Sequence, residues 1–454
     1  MKFTKFGKAL PMSALSFGVI LGITSCIQSY SVGFLYVTGT VTAQSSGSGI
    51  ISGYKIEHNT GKLTAINGLP ISSGGANPVR AVLTTGSKFV YVLNRGANAS
   101  GGSVCTTANP CQNSNITQFA VGGNGILTAQ ETFYTQGINP IRLSVDSSGT
   151  YLYVLDHDAP LDAGTTSNRA CINAFATSTC GDVTVFQINQ TTGRLQLVVN
   201  AQVTSASGAA LPYFPVPAKP IDFLLTTSNL FILSGTPTSG DSVFPYTYSS
   251  TNGQLTISQN SSQPLTGEPQ TSSNPGGLVQ NATAIVSAGG IIYVLDNEPI
   301  TANGTTYPSQ ILPFTAGTNG ALQAHTGGII PDDAAQSNPI YMIVESKGKW
   351  IYVANQGNNL NTTNAQSGIA GYVIDPSTQQ LSFIAGEPFG SGAGPQCIVE
   401  DPSNQFIYTA NFNDSTVTGR AIDQNAGVLH NLSTTSSYTL NGPATWCFVD
   451  GRTN

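Results

Sequence analysis

Four side chains in this sequence share one setting. Arg80, Arg142, Asp222 and Tyr341 each stand two residues after a proline that opens an apolar run, in "NPVRAVL", "NPIRLSV", "KPIDFLL" and "NPIYMIV". Only 8% of the 454 residues are charged, so ionisable groups that recur at one place in a repeated phrase stand out. Two guanidinium groups brought together can hold a carboxylate or a phosphate through paired N–H donors. Ester hydrolysis needs such donors for the developing oxyanion, and a base for the attacking water. Arg80 and Arg142 are the candidate donors; His157 or Asp222 is the candidate base. His157 lies in Asp156-His157-Asp158, just past an apolar run. Asp156, Asp296 and Glu298 open polar segments and, with Tyr341, are candidate substrate contacts. The alternative is that these charges pair with one another and lock strands together. His58 and His430 read as surface residues, and His325 is isolated. There is no P-loop, no H-E-x-x-H and no nucleophile elbow. No cofactor is expected, and no metal: there is no C-x-x-C pair, and the aspartates do not follow EF-hand spacing.

The elements that carry these residues follow from a repeat. "YVAN" (352–355) has relatives in "FVYVLN", "YLYVLD", "IIYVLD" and "FIYTAN". The central aromatic falls at Tyr36, Tyr91, Tyr153, Phe231, Tyr293, Tyr352 and Tyr408. Each copy is followed by an apolar strand, a turn and a short strand starting with Leu, as in "VFQINQTTGRLQ". Six copies are preceded by another apolar strand, often the proline-opened one. Four strands repeated at roughly sixty residues predict an all-β, seven-bladed propeller with four-stranded blades. Composition agrees: 50 glycines and few charged residues favour turns and strands over exposed helices. So sparse a charge excludes a basic nucleic-acid surface.

The ends of the chain predict how the ring closes. Residues 442–451, "GPATWCFVDG", form an opening strand with no aromatic strand after it; 33–40, "GFLYVTGT", form an aromatic strand with no opening strand before it. Pairing them makes one blade from 33–70 and 442–451 and removes two open sheet edges. Strand parity puts the tight links, such as "DSSGT" and "TTGR", on one rim. It puts the long links, such as 95–114 and 157–181, on the other, where function is expected.

These phrases resemble a known family. Tyr91-Val92-Leu93-Asn94, Tyr352-Val353-Ala354-Asn355 and Tyr408-Thr409-Ala410-Asn411 look like YVTN-type propeller repeats. Asn59-Thr60-Gly61-Lys62-Leu63 and Thr191-Thr192-Gly193-Arg194-Leu195 resemble the turn phrase of the seven-bladed lactonase family, over nearly all of 33–451. That resemblance implies a lactone hydrolase, and the positions of Arg80 and Arg142 make them its candidate donors. A binding propeller for carbohydrate or protein, without catalysis, is the alternative.

The first residues read as an export signal. Lys2, Lys5 and Lys8 precede a short apolar stretch ending Ile23-Thr24-Ser25-Cys26, which resembles a bacterial lipobox. The expectation is removal of 1–25, lipid on Cys26, a tether over 26–32 and a propeller over 33–454. The membrane is then met only through the lipid, and the protein belongs to the cell envelope. A cytosolic sugar phosphate suits such a chain less well than a neutral or carboxylated lactone. In an oxidising compartment Cys105–Cys111 and Cys171–Cys180 are expected as loop disulfides. Cys397 and Cys447 form either a third bridge or buried thiols.

Overall fold

Each aromatic run forms the second strand of an antiparallel sheet. The computed structural model describes residues 30–41, 48–98, 111–205, 207–235, 240–257, 263–266, 276–288, 290–317, 320–325, 328–357 and 366–451. The expected signal, tether start and lipidation site at Cys26 lie outside the described residues, as does Cys105. Among the described residues seven blades are present. Blade 1 holds Ser31–Thr40, Ser48–Glu57 and Leu63–Ala65, with C-terminal Ala444–Asp450 as its inner strand. The inner strands of blades 2 to 7 are Pro78–Leu83, Ile138–Val145, Pro220–Leu225, Ala282–Ala288, Pro339–Val344 and Pro395–Glu400. Together the seven inner strands ring a central channel, each touching the next.

Closure is as the termini predict. Tyr36 pairs opposite Phe448 and Thr38 opposite Trp446, and the Tyr36 and Phe448 rings stack at 5.1 Å. Beyond the four strands, five blades carry a short fifth, for example Ile71–Ala76 and Phe214–Val216. The third strand is longer than the three-residue fourth, so half of its edge is left open, and the fifth strand covers that half. Blade 2 solves the same problem with one seven-residue outer strand, Leu127–Phe133.

The repeated tyrosine and the repeated turn glycine form one device. The Tyr36 hydroxyl donates to the Gly125 carbonyl of the next blade at 2.7 Å. Tyr352 does the same to Gly427, and Tyr408 to Gly61, each at 2.7 Å, and Tyr91 does so to Gly193. The rings are almost wholly buried, so the interblade carbonyl has no water to fall back on. The glycine is needed on two counts: Gly427 has φ +74°, and a Cβ there would meet the Trp350 ring at 2.7 Å. In blade 3 the role passes to Tyr151, which donates to Thr251 at 2.9 Å. Tyr352→Phe should cost about 1–2 kcal/mol, the price of an unpaired buried carbonyl. Tyr134→Phe, at a ring 62% exposed, should cost nothing measurable. Equal denaturant midpoints for the two variants would contradict the latch.

The residue ending each aromatic strand is also structural. In blade 2 Asn94 is fully buried and its amide donates to Asn115 Oδ1 at 2.9 Å. Blade 5 puts Asp296 there, taking a hydrogen bond from Gln310 at 2.7 Å. Blade 3 places two carboxyls opposite one another, Asp156 and Asp182, both fully buried. Thr184 Oγ1 lies 3.5 Å from one and 3.3 Å from the other, and one oxygen of each has no hydrogen-bond partner. Gly137 packs so closely on the pair that a Cβ would lie 2.0 Å from Asp182 Oδ1. Burial, against hydrogen bonds from Thr135, Gly137 and Thr184, pushes Asp156 up to about 8. Burial and the charge of Asp156 hold Asp182 well above the carboxylate range. A raised carboxyl stabilises the fold fully below the unfolded value, about 4, and loses that contribution as pH rises through the folded one. Asp182→Asn restores the amide–carboxylate match of blade 5. It should therefore stabilise the protein by about 2 kcal/mol at pH 9 and have little effect at pH 4. Thermal melts at both pH values check this; an equal effect at both would contradict it.

Candidate functional site

A repeated backbone irregularity aims the channel side chains. In blades 2 to 7 the partner register skips one residue near the start of the inner strand, the one after the proline wherever a proline opens it, as between Pro78 and Arg80, Pro140 and Arg142, Pro220 and Asp222, and Pro339 and Tyr341. Blade 1 skips between Ala444 and Trp446. Such a bulge re-aims the next side chain. Before the proline stands a residue at positive φ: Asn77 at 51°, Asn139 at 57°, Lys219 at 55° and Asn338 at 56°. Asparagine tolerates that conformation, which accounts for the "NP" spelling. The result is that Arg80, Arg142, Tyr341 and Trp446 line one channel cavity of about 530 Å³.

Within it Arg142 Nε lies 2.8 Å from Asp222 Oδ1. Asp222 is held further by the backbone N–H groups of Phe223, at 2.8 Å, and Ile285, at 3.2 Å. Both its oxygens are thus occupied. Burial pushes its carboxyl up, while Arg142, Arg80 and the two N–H groups pull it back. The Arg80 guanidinium lies 4.0 Å from the centroid of the Trp446 ring, and Arg142 lies 5.5 Å from that of Tyr341. Tyr341 meets Trp446 edge-on at 5.0 Å. Arg80 is in none of the ion pairs among the described residues. Its Nη1 donates to the Val79 carbonyl at 3.0 Å, while its Nε and Arg142 Nη1 are buried without a partner. Burial, with the like charge of Arg142 behind it, pulls Arg80 down to about 9. Glu400 lines the same cavity, so its wall as a whole is balanced, but it is not among the charges acting on Arg80; there Arg80 and Arg142 meet only Asp222, with two N–H donors unused. That arrangement suits an anion.

His157 lies elsewhere. It lines a second cavity of about 530 Å³ on the long-loop rim, with Lys219, Ile221, Gln280, Asn281, Thr283 and Asn297. The two cavities adjoin along one strand: Ile221 faces the rim cavity, and the next residue, Asp222, holds Arg142. Glu298 accepts a hydrogen bond from Asn281 and so stands beside the rim cavity. Asp156 and Asp296 line neither cavity, being buried at the asparagine position of the repeat. Two contributors were passed over in the sequence. Trp446 sits one residue later relative to its proline than Arg80 does, and only the bulge register brings the two together. Arg95 opens a long link, donates to the Pro140 carbonyl at 3.3 Å, and adds positive potential at Arg80.

The cysteines are resolved in part. Cys171–Cys180 is a disulfide, beside the short helix Arg169–Phe175. Cys111 is disulfide-bonded. Cys397 and Cys447 form a bridge, so of the two alternatives for that pair the disulfide holds. It joins the inner strands of blades 7 and 1.

The sequence profile described as Lactonase, 7-bladed beta-propeller matches residues 48–161 and 318–446, more than half of the chain. No curated protein matches. Among solved structures, a proposed 6-phosphogluconolactonase of Bacteroides fragilis superposes with TM-score 0.61 at 15% identity, covering 92% of this chain and 98% of its own. One of Bacteroides uniformis gives 0.61 at 14%, covering 92% and 100%. The periplasmic gluconolactonase of Pseudomonas aeruginosa gives 0.60 at 17%, covering 92% and 98%. At these identities the structures speak for the fold, and the profile for the family. With the seven blades, the closing strand and the repeated Tyr–Gly latch, the chain belongs to the seven-bladed β-propeller lactonase family.

Proposed function

We propose that this protein hydrolyses a lactone bearing a carboxylate, with the anionic end held between Arg80 and Arg142 at the channel wall. The observation that carries the reading is that Arg80 is in none of the ion pairs among the described residues and stands beside two unused N–H donors. Tyr341 and Trp446 offer flat apolar faces for the carbon skeleton next to that carboxylate. Asp222 serves as the residue that fixes Arg142, since both its oxygens are already engaged. The chain is exported and anchored through lipid on Cys26, which suits a lactone found outside the cytosol. The gluconolactonases among the similar structures agree with lactone chemistry in general. A panel of neutral and carboxylated lactones, followed by pH-stat, tests the reading. Turnover of carboxylated members above background is expected; no turnover of any member would sink it. A second reading, a non-catalytic propeller that binds carbohydrate or protein, is favoured by the amides of Gln280, Asn281 and Asn297 around the rim cavity. It predicts saturable sugar or protein binding without hydrolysis.

A further inference from the structure

The rim cavity contains a histidine that is held from behind. His157 Nδ1 lies 3.0 Å from Asp158 Oδ1. Asp158 Oδ2 in turn accepts from Asn139 Nδ2 at 2.8 Å. Asn139 is buried, sits at φ 57°, and its own Oδ1 accepts from the Cys111 backbone N–H at 3.0 Å. The chain Cys111–Asn139–Asp158–His157 therefore links the long segment of blade 2 to the end of the aromatic strand of blade 3. A surface ion pair normally swings freely and contributes little. Here the carboxylate is clamped by a buried amide whose position is fixed in turn. Burial opposes the charge on Asp158, yet its hydrogen bonds with His157 and Asn139 prevail and lower its pKa.

A carboxylate can only accept, so Nδ1 carries a proton, and in the neutral ring Nε2 presents a lone pair. A base whose second nitrogen is oriented by a fixed acceptor is the arrangement that activates water or a hydroxyl.

We propose that Asp158 is a positioning residue that presents His157 Nε2 to the rim cavity as the general base. This rests on the lactonase reading above and deepens it by naming the base and what orients it. In the step, Nε2 takes a proton from water as the water oxygen bonds to the lactone carbonyl carbon, whose π pair moves to oxygen. The oxyanion then collapses, the ring C–O bond breaks, and the Nε2 proton passes to the departing ring oxygen. The product is the open hydroxy acid and the histidine is regenerated. The carboxylate of the substrate stays at the Arg80 end while its ester reaches the rim cavity.

Two readouts test this on the full chain. The first is ring-nitrogen NMR of the four histidines, assigned with His157→Gln. Wild type should show His157 in the Nδ1–H form. Asp158→Ala should shift it to a mixture of tautomers, and Asp158→Asn, which keeps an acceptor oxygen, should restore the preference. The second is kinetics. His157→Gln should lower kcat about 100-fold. Asp158→Ala should lower kcat about tenfold with KM unchanged, and Asp158→Asn should recover part of that loss. A wild-type histidine without the Nδ1–H preference overturns the proposal whatever the turnover. An intact preference with kcat untouched in Asp158→Ala overturns the positioning role. A protein that opens no lactone overturns the hydrolase reading and the base role together, while the NMR result still reports on the dyad.

Discussion

Replacing both Cys397 and Cys447 with alanine should lower the stability of the propeller by about 4 kcal/mol. The bridge closes a 50-residue loop, and the loop-closure entropy it removes from the unfolded chain is of that size. Its position adds a second effect. Ala444–Asp450 is the inner strand of blade 1 and is supplied by the far end of the chain. If it peels away, the ring opens and both Ser31–Thr40 and Pro395–Glu400 lose a neighbour. The bridge ties this strand to blade 7 from the channel side, so its loss should also speed hydrogen exchange at the amides of 444–450 before any other strand responds. Denaturant unfolding and exchange mass spectrometry read the two effects. Unchanged stability, or uniform exchange in all blades, would contradict a role in ring closure.

The second large effect is at Arg80. Arg80→Ala should reduce kcat/KM for a carboxylated lactone about 100-fold, the equivalent of about 3 kcal/mol for a charge-assisted contact in a buried site. A neutral lactone of the same ring size should lose less than about threefold. Arg142 cannot substitute, because Asp222 at 2.8 Å already neutralises it. Arg80→Lys should fall between, keeping the charge but not the fork of donors. Folding should survive, since removing an uncompensated buried cation relieves a cost. Equal losses for the two lactones would show that Arg80 acts on something other than the carboxylate.

Much of this frame is legible in the sequence. In four blades the tyrosine at the centre of the second strand and a turn glycine bond to each other across blades, so this part of the spelled repeat reports a physical contact. The closing strand is legible because "GPATWCFVDG" and "GFLYVTGT" each lack the half that the other supplies. Arg80, Arg142, Asp222 and Tyr341 converge as their shared distance from a proline implies. The rest depends on geometry that the letters do not carry. Trp446 joins the site only through the register of a bulge. Asp156 and Asp296 align with Asn94, Asn355 and Asn411, yet their burial follows from how the strand ends meet neighbouring segments. His157 sits on a second strand, one strand out from the channel, and so faces a different cavity from the arginines. The fifth strands, "ISSGGA" and "FPV" among them, are short and share no spelling; an open edge recruits them, not their own propensity.

The wheel carries only two tryptophans, and Trp446 touches Arg80 inside the channel, whereas Trp350 is buried between blades beside Gly427. Trp350→Phe leaves Trp446 as the sole indole reporter. Titrating that variant with a carboxylated lactone, and separately with its ring-opened acid, while following indole emission, asks directly whether an anion enters the channel. A saturable change that disappears when Arg80 is also replaced by alanine is the predicted result. Flat emission during measurable hydrolysis would place the anion outside the channel and contradict the account.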